Sequence, residues 1–161
     1  MKKILSAIVF AGVLLLFGNA VFASDFEYVT RDVNNNKYYI DKQSISRIKW
    51  DKDKDDFQFS VIVKTIFDEY DANNRYDDFW FRYRGIYITD TVAYSLDRLV
   101  FRRKKGKISY KSSGEVDFNS SGQKIWSWDG YSTWHDVPKN SVYKVIYDVT
   151  YKKLWIYFNF I

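Results

Sequence analysis

The stretch Phe57-Gln58-Phe59-Ser60-Val61-Ile62-Val63-Lys64-Thr65-Ile66 decides the fold. Phe57, Phe59, Val61 and Val63 are apolar and Thr65 is β-branched, while Gln58, Ser60, Ile62, Lys64 and Ile66 between them are mixed. Side chains of a strand alternate between its two faces, so this period of two predicts a strand with one apolar and one mixed face, in the centre of a sheet and covered on both sides. Toward the amino terminus lies the charged run Asp51-Lys52-Asp53-Lys54-Asp55-Asp56, preceded by Ser44-Ile45. Further upstream, Phe26 to Thr30 and Lys37 to Asp41 flank Asp32-Val33-Asn34-Asn35-Asn36, which reads as a hairpin because Asn tolerates positive φ.

Downstream of the central strand, Asp68 to Asp78 reads as a polar loop. Phe79 to Arg84 and Gly85 to Arg103 hold one or two more strands, and Lys104-Lys105-Gly106-Lys107 supplies a turn. Ile108 to Lys111, Gly114 to Phe118 and Lys124 to Trp128 are short strand candidates separated by Ser/Gly turns. The period then changes. After Asp136-Val137-Pro138-Lys139-Asn140-Ser141, Val142, Val145, Ile146 and Val149 follow at i, i+3, i+4 and i+7, which predicts one helix whose stripe packs on the sheet. Leu154 to Ile161 fits either a last strand or a continuation of that helix. The fold class is therefore α+β: a single antiparallel sheet packed by one carboxy-terminal helix.

Composition narrows the function. Of 161 residues, 47% are hydrophobic and 20% aromatic, with 14 Tyr, one His and no Cys. Without Cys there is no thiolate metal site or thiol nucleophile, and one His cannot build a His-rich metal centre, so no cofactor is expected. Met1, Lys2 and Lys3 form a positive start, Ile4 to Phe17 an apolar run, and Val21-Phe22-Ala23 ends in the small residue that signal peptidase needs. Residues 1–23 are thus expected to be a cleaved signal peptide and residues 24–161 one exported domain, held by no membrane anchor after cleavage; the alternative is that Ile4 to Ala23, 20 residues, stays as an uncleaved membrane anchor. The formal charge of the whole chain is +5, and cleavage removes Lys2 and Lys3. That mild excess is unlike the dense basic charge of a nucleic-acid binder.

Spacing separates the candidate sites. Asp51, Asp53 and Asp55 have the odd spacing of a calcium loop, but Asp56 stands where Gly is needed and Ile62 where a bidentate Glu is needed, which favours a solvated hairpin turn. His135 and Asp136 are adjacent, so on a strand they point to opposite faces and make no acid/base pair. Arg98, Arg102, Arg103, Lys104, Lys105 and Lys107 form the densest basic cluster, suited to a sulfated glycan, an anionic head group or an acidic protein patch, or to keeping a sheet edge soluble. Trp126 and Trp128 would share one strand face as a platform for sugar rings or a partner surface, or pack beneath a helix, as would Trp134.

Several of these segments together carry a family resemblance. Tyr38-Tyr39-Ile40-Asp41 followed by Ser44-Ile45 and the Phe57 to Ile66 strand resembles the amino-terminal half of the bacterial surface-adhesin protein E family. Tyr94-Ser95-Leu96-Asp97 with Arg102-Arg103 is similar to its aromatic-x-x-Asp strand running into basic residues. Asp129, Ser132, Trp134, Val137, Pro138, Ser141 and Val142 fall in the order of its approach to the last helix, so the likeness spans Tyr28 to Val149. The resemblance implies an antiparallel sheet under a carboxy-terminal helix, no catalysis and, in adhesin members, binding of host matrix proteins. Two departures stand out: Arg98 occupies a position where many members have Cys, with no Cys at Tyr147 to Val149, and no Cys is present to carry a lipid anchor. The function expected is an exported, non-enzymatic binding protein for a protein, an anionic glycan or an envelope surface. The alternatives are a small outer-membrane β-barrel and a periplasmic inhibitor or housekeeping module.

Overall fold

The computed structural model of the chain describes residues 25–73, 75 and 91–159. The expected signal peptide and the expected strand at Phe79 to Arg84 lie outside these residues. Among the described residues eight strands form one antiparallel sheet: β1 (Phe26–Arg31), β2 (Lys37–Asp41), β3 (Ser46–Asp51), β4 (Asp56–Ile66), β5 (Tyr94–Lys104), β6 (Lys107–Phe118), β7 (Lys124–Trp128) and β8 (His135–Asp136). The order is β1-β2-β4-β5-β6-β7, and the sheet is open. β3 pairs with the first half of β4 where β2 pairs with its second half, and β8 and β7 divide the outer edge of β6 in the same way.

The predicted central strand is in place, and its two faces differ. Phe57, Phe59, Val61, Val63 and Thr65 are buried, whereas Gln58, Ser60, Ile62, Lys64 and Ile66 are only half-buried, so the strand is not equally covered on both sides. Across the sheet Phe59 opposes Phe101 and Val61 opposes Leu99, which carries the apolar face into β5. The carboxy-terminal helix, Val142–Asn159, packs on this face. It therefore takes up Leu154, which sequence left between strand and helix. Ser141 starts it, accepting the amide of Lys144 on its hydroxyl.

Three tyrosines of the helix recur at intervals of four. Tyr143 stacks on Tyr110 of β6 at 4.1 Å, Tyr147 lies 5.8 Å from Phe101 of β5 and 5.5 Å from Phe59 of β4, and Tyr151 stacks on Trp50 of β3 at 5.5 Å. Four residues advance a helix about 6 Å, close to the strand spacing of about 4.8 Å, so each tyrosine reaches a new strand. The buried stripe is thus Ile146, Tyr147, Thr150 and Leu154, with Tyr143 partly buried beside it, while Val145 of the predicted stripe is exposed. The helix is rotated toward its aromatics, which bury more area than valines.

Other departures from the sequence reading have local causes. Residues 69–73, expected as polar loop, are helical. β3 was not foreseen because its first four residues are exposed and show no alternation. Ser112-Ser113-Gly114 is no turn: it is a bulge inside the continuous strand β6, where Asp97 opposes Glu115 and Leu99 opposes Ser112, so two residues of β6 face one of β5. Gly114 sits there at φ +136°, a conformation that side chains disfavour.

Thr150 is fully buried and its hydroxyl finds no hydrogen-bond partner. Thr150→Val keeps the shape and removes the desolvated oxygen, so the variant should gain about 1 kcal/mol, seen as a higher urea midpoint with an unchanged slope. A lower midpoint would show that the hydroxyl is bonded in solution.

Candidate functional site

The six basic residues singled out by sequence separate in the structure. β5 and β6 are joined by a tight turn in which Lys105 (φ 50°) and Gly106 (φ 77°) both take positive φ, the geometry of a primed hairpin turn. Asp55, from the β3–β4 turn, reaches this hairpin: its carbonyl accepts the amide of Lys105 at 3.1 Å and its carboxylate accepts that of Gly106 at 2.6 Å. The same carboxylate pairs with Arg103 Nε at 2.9 Å. Arg103 alternates onto the helix side and is neutralised there; it does not belong to a shared cationic surface. The charged run expected to be only a solvated turn therefore clamps two hairpin tips together through Asp55.

Arg102 and Lys104 point to the other face of the sheet. With Lys105, Lys107, Ser109 and Asp136 they line a depression of about 330 Å³. Among the described residues Asp136 is its only carboxylate lining, so the depression concentrates positive potential. Arg98 is on the same face of β5 but farther along the strand, does not line the depression, and has interactions of its own. Lys111 of β6, outside the basic cluster of the sequence, shares this face with Lys107 and Ser109 by strand alternation.

Trp134 sits against these cations and not beneath the helix. The Arg102 guanidinium carbon lies 4.4 Å from its ring centre and Lys111 Nζ lies 5.1 Å away, contacts in which the ring face attracts the cation. Lys111 Nζ also lies 4.1 Å from the centre of the Tyr131 ring, which is 73% exposed. Ser132 fixes this loop on β6: its amide donates to the carbonyl of Ser112 at 3.0 Å and its hydroxyl accepts the amide of Ser112 at 2.9 Å. His135 and Asp136 pair with Tyr110 and Ser109 and project to opposite faces, as the spacing requires.

Trp126 and Trp128 share one face, opposite Asp117 and Glu115, and are half-buried. That is the face on which the helix packs, at the far end of β6 from Lys107. The tryptophan pair and the basic depression are thus separate features; the structure does not bring them together.

Beside the tryptophans lies a polar cluster that sequence did not reveal. Arg75 pairs with Glu115 and, at 3.1 Å, with Asp117, whose side chain is buried and whose second oxygen has no partner. Asp97 accepts the Ser112 hydroxyl at 2.6 Å. Burial pushes the Asp97 carboxyl up to about 7, with Glu115 and Asp117 adding to the rise against Ser112 and Arg75. Burial likewise raises Asp117 to about 6, opposed by Arg75 and assisted by Glu115. Next to it, Asn36 and Asn34 of the first hairpin donate to Asp71, and Asn36 and Tyr38 donate to Asp32, tying β1 and β2 to the helical residues 69–73. The depression at this end of the sheet, about 630 Å³, is lined by Phe67, Ala72, Val92 and Asn119 among others and does not include the three carboxylates. Among the described residues no group of three or more metal-ligating side chains is arranged to hold a metal.

The comparisons leave the family open. No protein-family model, curated protein or solved structure matches the chain. The adhesin-like motifs therefore stand on their own residues, and the functional reading rests on the geometry above.

The carboxylate cluster has a measurable consequence for stability. An acid whose folded pKa lies above its unfolded value binds its proton more tightly when folded, so its contribution is favourable at low pH and is lost as pH rises through the folded value. For Asp97 the window runs from about pH 4 to about pH 7. Asp97→Asn should therefore lose less thermal stability than the parent protein across that window; parallel curves for the two proteins would refute the assignment.

Proposed function

We propose that the protein is an exported, non-enzymatic binding module that takes a polyanion on the sheet face opposite the helix. The observation that carries this reading is the convergence of Arg102, Lys104, Lys105 and Lys107 on one depression with a single opposing carboxylate, Asp136. Such a surface attracts anions over a Debye length and binds them with strong salt dependence. Among the described residues the sheet order is open, with β1 and β7 at its ends, which counts against the barrel alternative. Among the described residues no helix is long and apolar enough to cross a membrane. The adhesin-like motif order supports binding over catalysis, and the amino-terminal charge and apolar pattern supports export. Peripheral attachment to an anionic envelope layer fits both.

Arg102, Lys104, Lys105 and Lys107 replaced together by Ser should weaken retention on a sulfated-polysaccharide column about 10-fold or more and flatten the dependence of affinity on salt. Arg103→Ser should leave the salt dependence nearly unchanged, because its charge is already satisfied by Asp55. Retention of the fourfold variant at low salt equal to that of the parent protein would remove this reading.

A further inference from the structure

We propose that the anion is carried on sugar rings, with Tyr131 and Lys111 forming a saccharide-stacking subsite beside the basic depression; this rests on the polyanion reading above. An exposed ring is common on protein surfaces, but this one is fixed. The loop that carries it is bound to β6 by the two hydrogen bonds between Ser132 and Ser112, and Lys111 Nζ lies 4.1 Å from the ring centre. At 73% exposure the ring face turned away from Lys111 is open. A flat aromatic face beside a held cation matches a sugar whose C–H face lies on the ring while its sulfate, phosphate or carboxylate meets the charge.

Trp134 extends the match along the sheet. It contacts Arg102 and Lys111 together, so it holds two cations apart at fixed positions instead of leaving them as mobile surface chains. From Tyr131 the surface runs through Lys111 and Arg102 into the depression of Lys104, Lys105 and Lys107. The result is a track in which an aromatic platform precedes a row of charges, the pattern a linear acidic polysaccharide needs and a polyphosphate does not. A lipid surface fits less well, because insertion needs neighbouring apolar side chains. Among the described residues the exposed aliphatic side chains Val33, Ile48, Val145 and Ile156, and the exposed Trp155, lie in the β1–β2 turn, β3 and the helix, and none of them neighbours Tyr131 in this loop.

The test compares a heparin oligosaccharide, long-chain inorganic polyphosphate and phosphatidylserine vesicles, each titrated into the parent protein, Tyr131→Ala and Tyr131→Phe at one ionic strength. Tyr131→Ala should lose about 5- to 10-fold in affinity for the oligosaccharide while its polyphosphate affinity stays within about 2-fold. Tyr131→Phe keeps the ring and should retain the parent affinity for both. Equal losses for the two polymers, or no loss for either, overturns the saccharide subsite and leaves the polyanion reading intact. Binding of vesicles in preference to the oligosaccharide overturns it in favour of a lipid surface. Failure of the parent protein to bind any of the three removes the polyanion reading itself, and the subsite with it.

Discussion

The match between a four-residue step along a helix and the spacing of strands in a sheet is the constraint on which this structure depends. Tyr143, Tyr147 and Tyr151 each find an aromatic seat on a different part of the sheet, from Tyr110 through Phe101 and Phe59 to Trp50. This interlock fixes the direction in which the helix crosses the strands and the face it covers. With one face committed, the alternation of β4 and β5 sends Phe59, Val61, Leu99 and Phe101 under the helix and Ile62, Lys64, Arg98 and Arg102 away from it. No disulfide contributes, since the chain has no Cys. Stacked and edge-on rings supply both area and geometric definition in its place.

Charge follows the same division. On the helix side, acids are drawn into a network with Arg75 and Ser112, where desolvation sets their protonation. On the other side, Arg102 and the lysines of the β5–β6 hairpin face solvent with little acid to oppose them. A modest net charge therefore conceals two unlike regions, on opposite faces of the sheet and toward opposite ends of β6. Asp55 links the two sides: it neutralises Arg103, which strand alternation puts on the helix side, and at the same time holds the hairpin that presents the remaining cations.

How much of this could be read beforehand depends on the range of the signal. The strand at Phe57 to Ile66, the first hairpin with its Asn turn, and the start of the helix after Pro138 are encoded by neighbours in sequence, and all three are where the pattern puts them. The rotation of the helix was hidden because Tyr is amphipathic: Val142, Val145, Ile146 and Val149 make the more obvious stripe, yet the tyrosines four apart prevail. The basic cluster was visible as composition but not as geometry, since strand alternation and Asp55 decide which cations share a surface. Arg75, Glu115, Asp117 and Asp97 come from three distant segments, and nothing local marks them as partners. Trp134 was misplaced for the same reason, because its neighbours Arg102 and Lys111 lie on two other strands.

The bulge at Ser113 and Gly114 reaches further than the local bend it makes. Before it, even-numbered residues of β6 such as Tyr110 and Ser112 lie on the helix side; after it, odd-numbered Glu115 and Asp117 do. The carboxylate cluster thus owes its interior position to a change of parity, not to any affinity of acids for the core. Flattening the bulge with no residue lost would give the strand one parity, turning Val116 and Phe118 inward and releasing the two acids to solvent, whereas removing Gly114 would regularise the strand and leave Glu115 and Asp117 on the helix side. In this chain a single bulge, where two residues of β6 oppose one of β5, is what lets acids and not Val116 and Phe118 take the inner face.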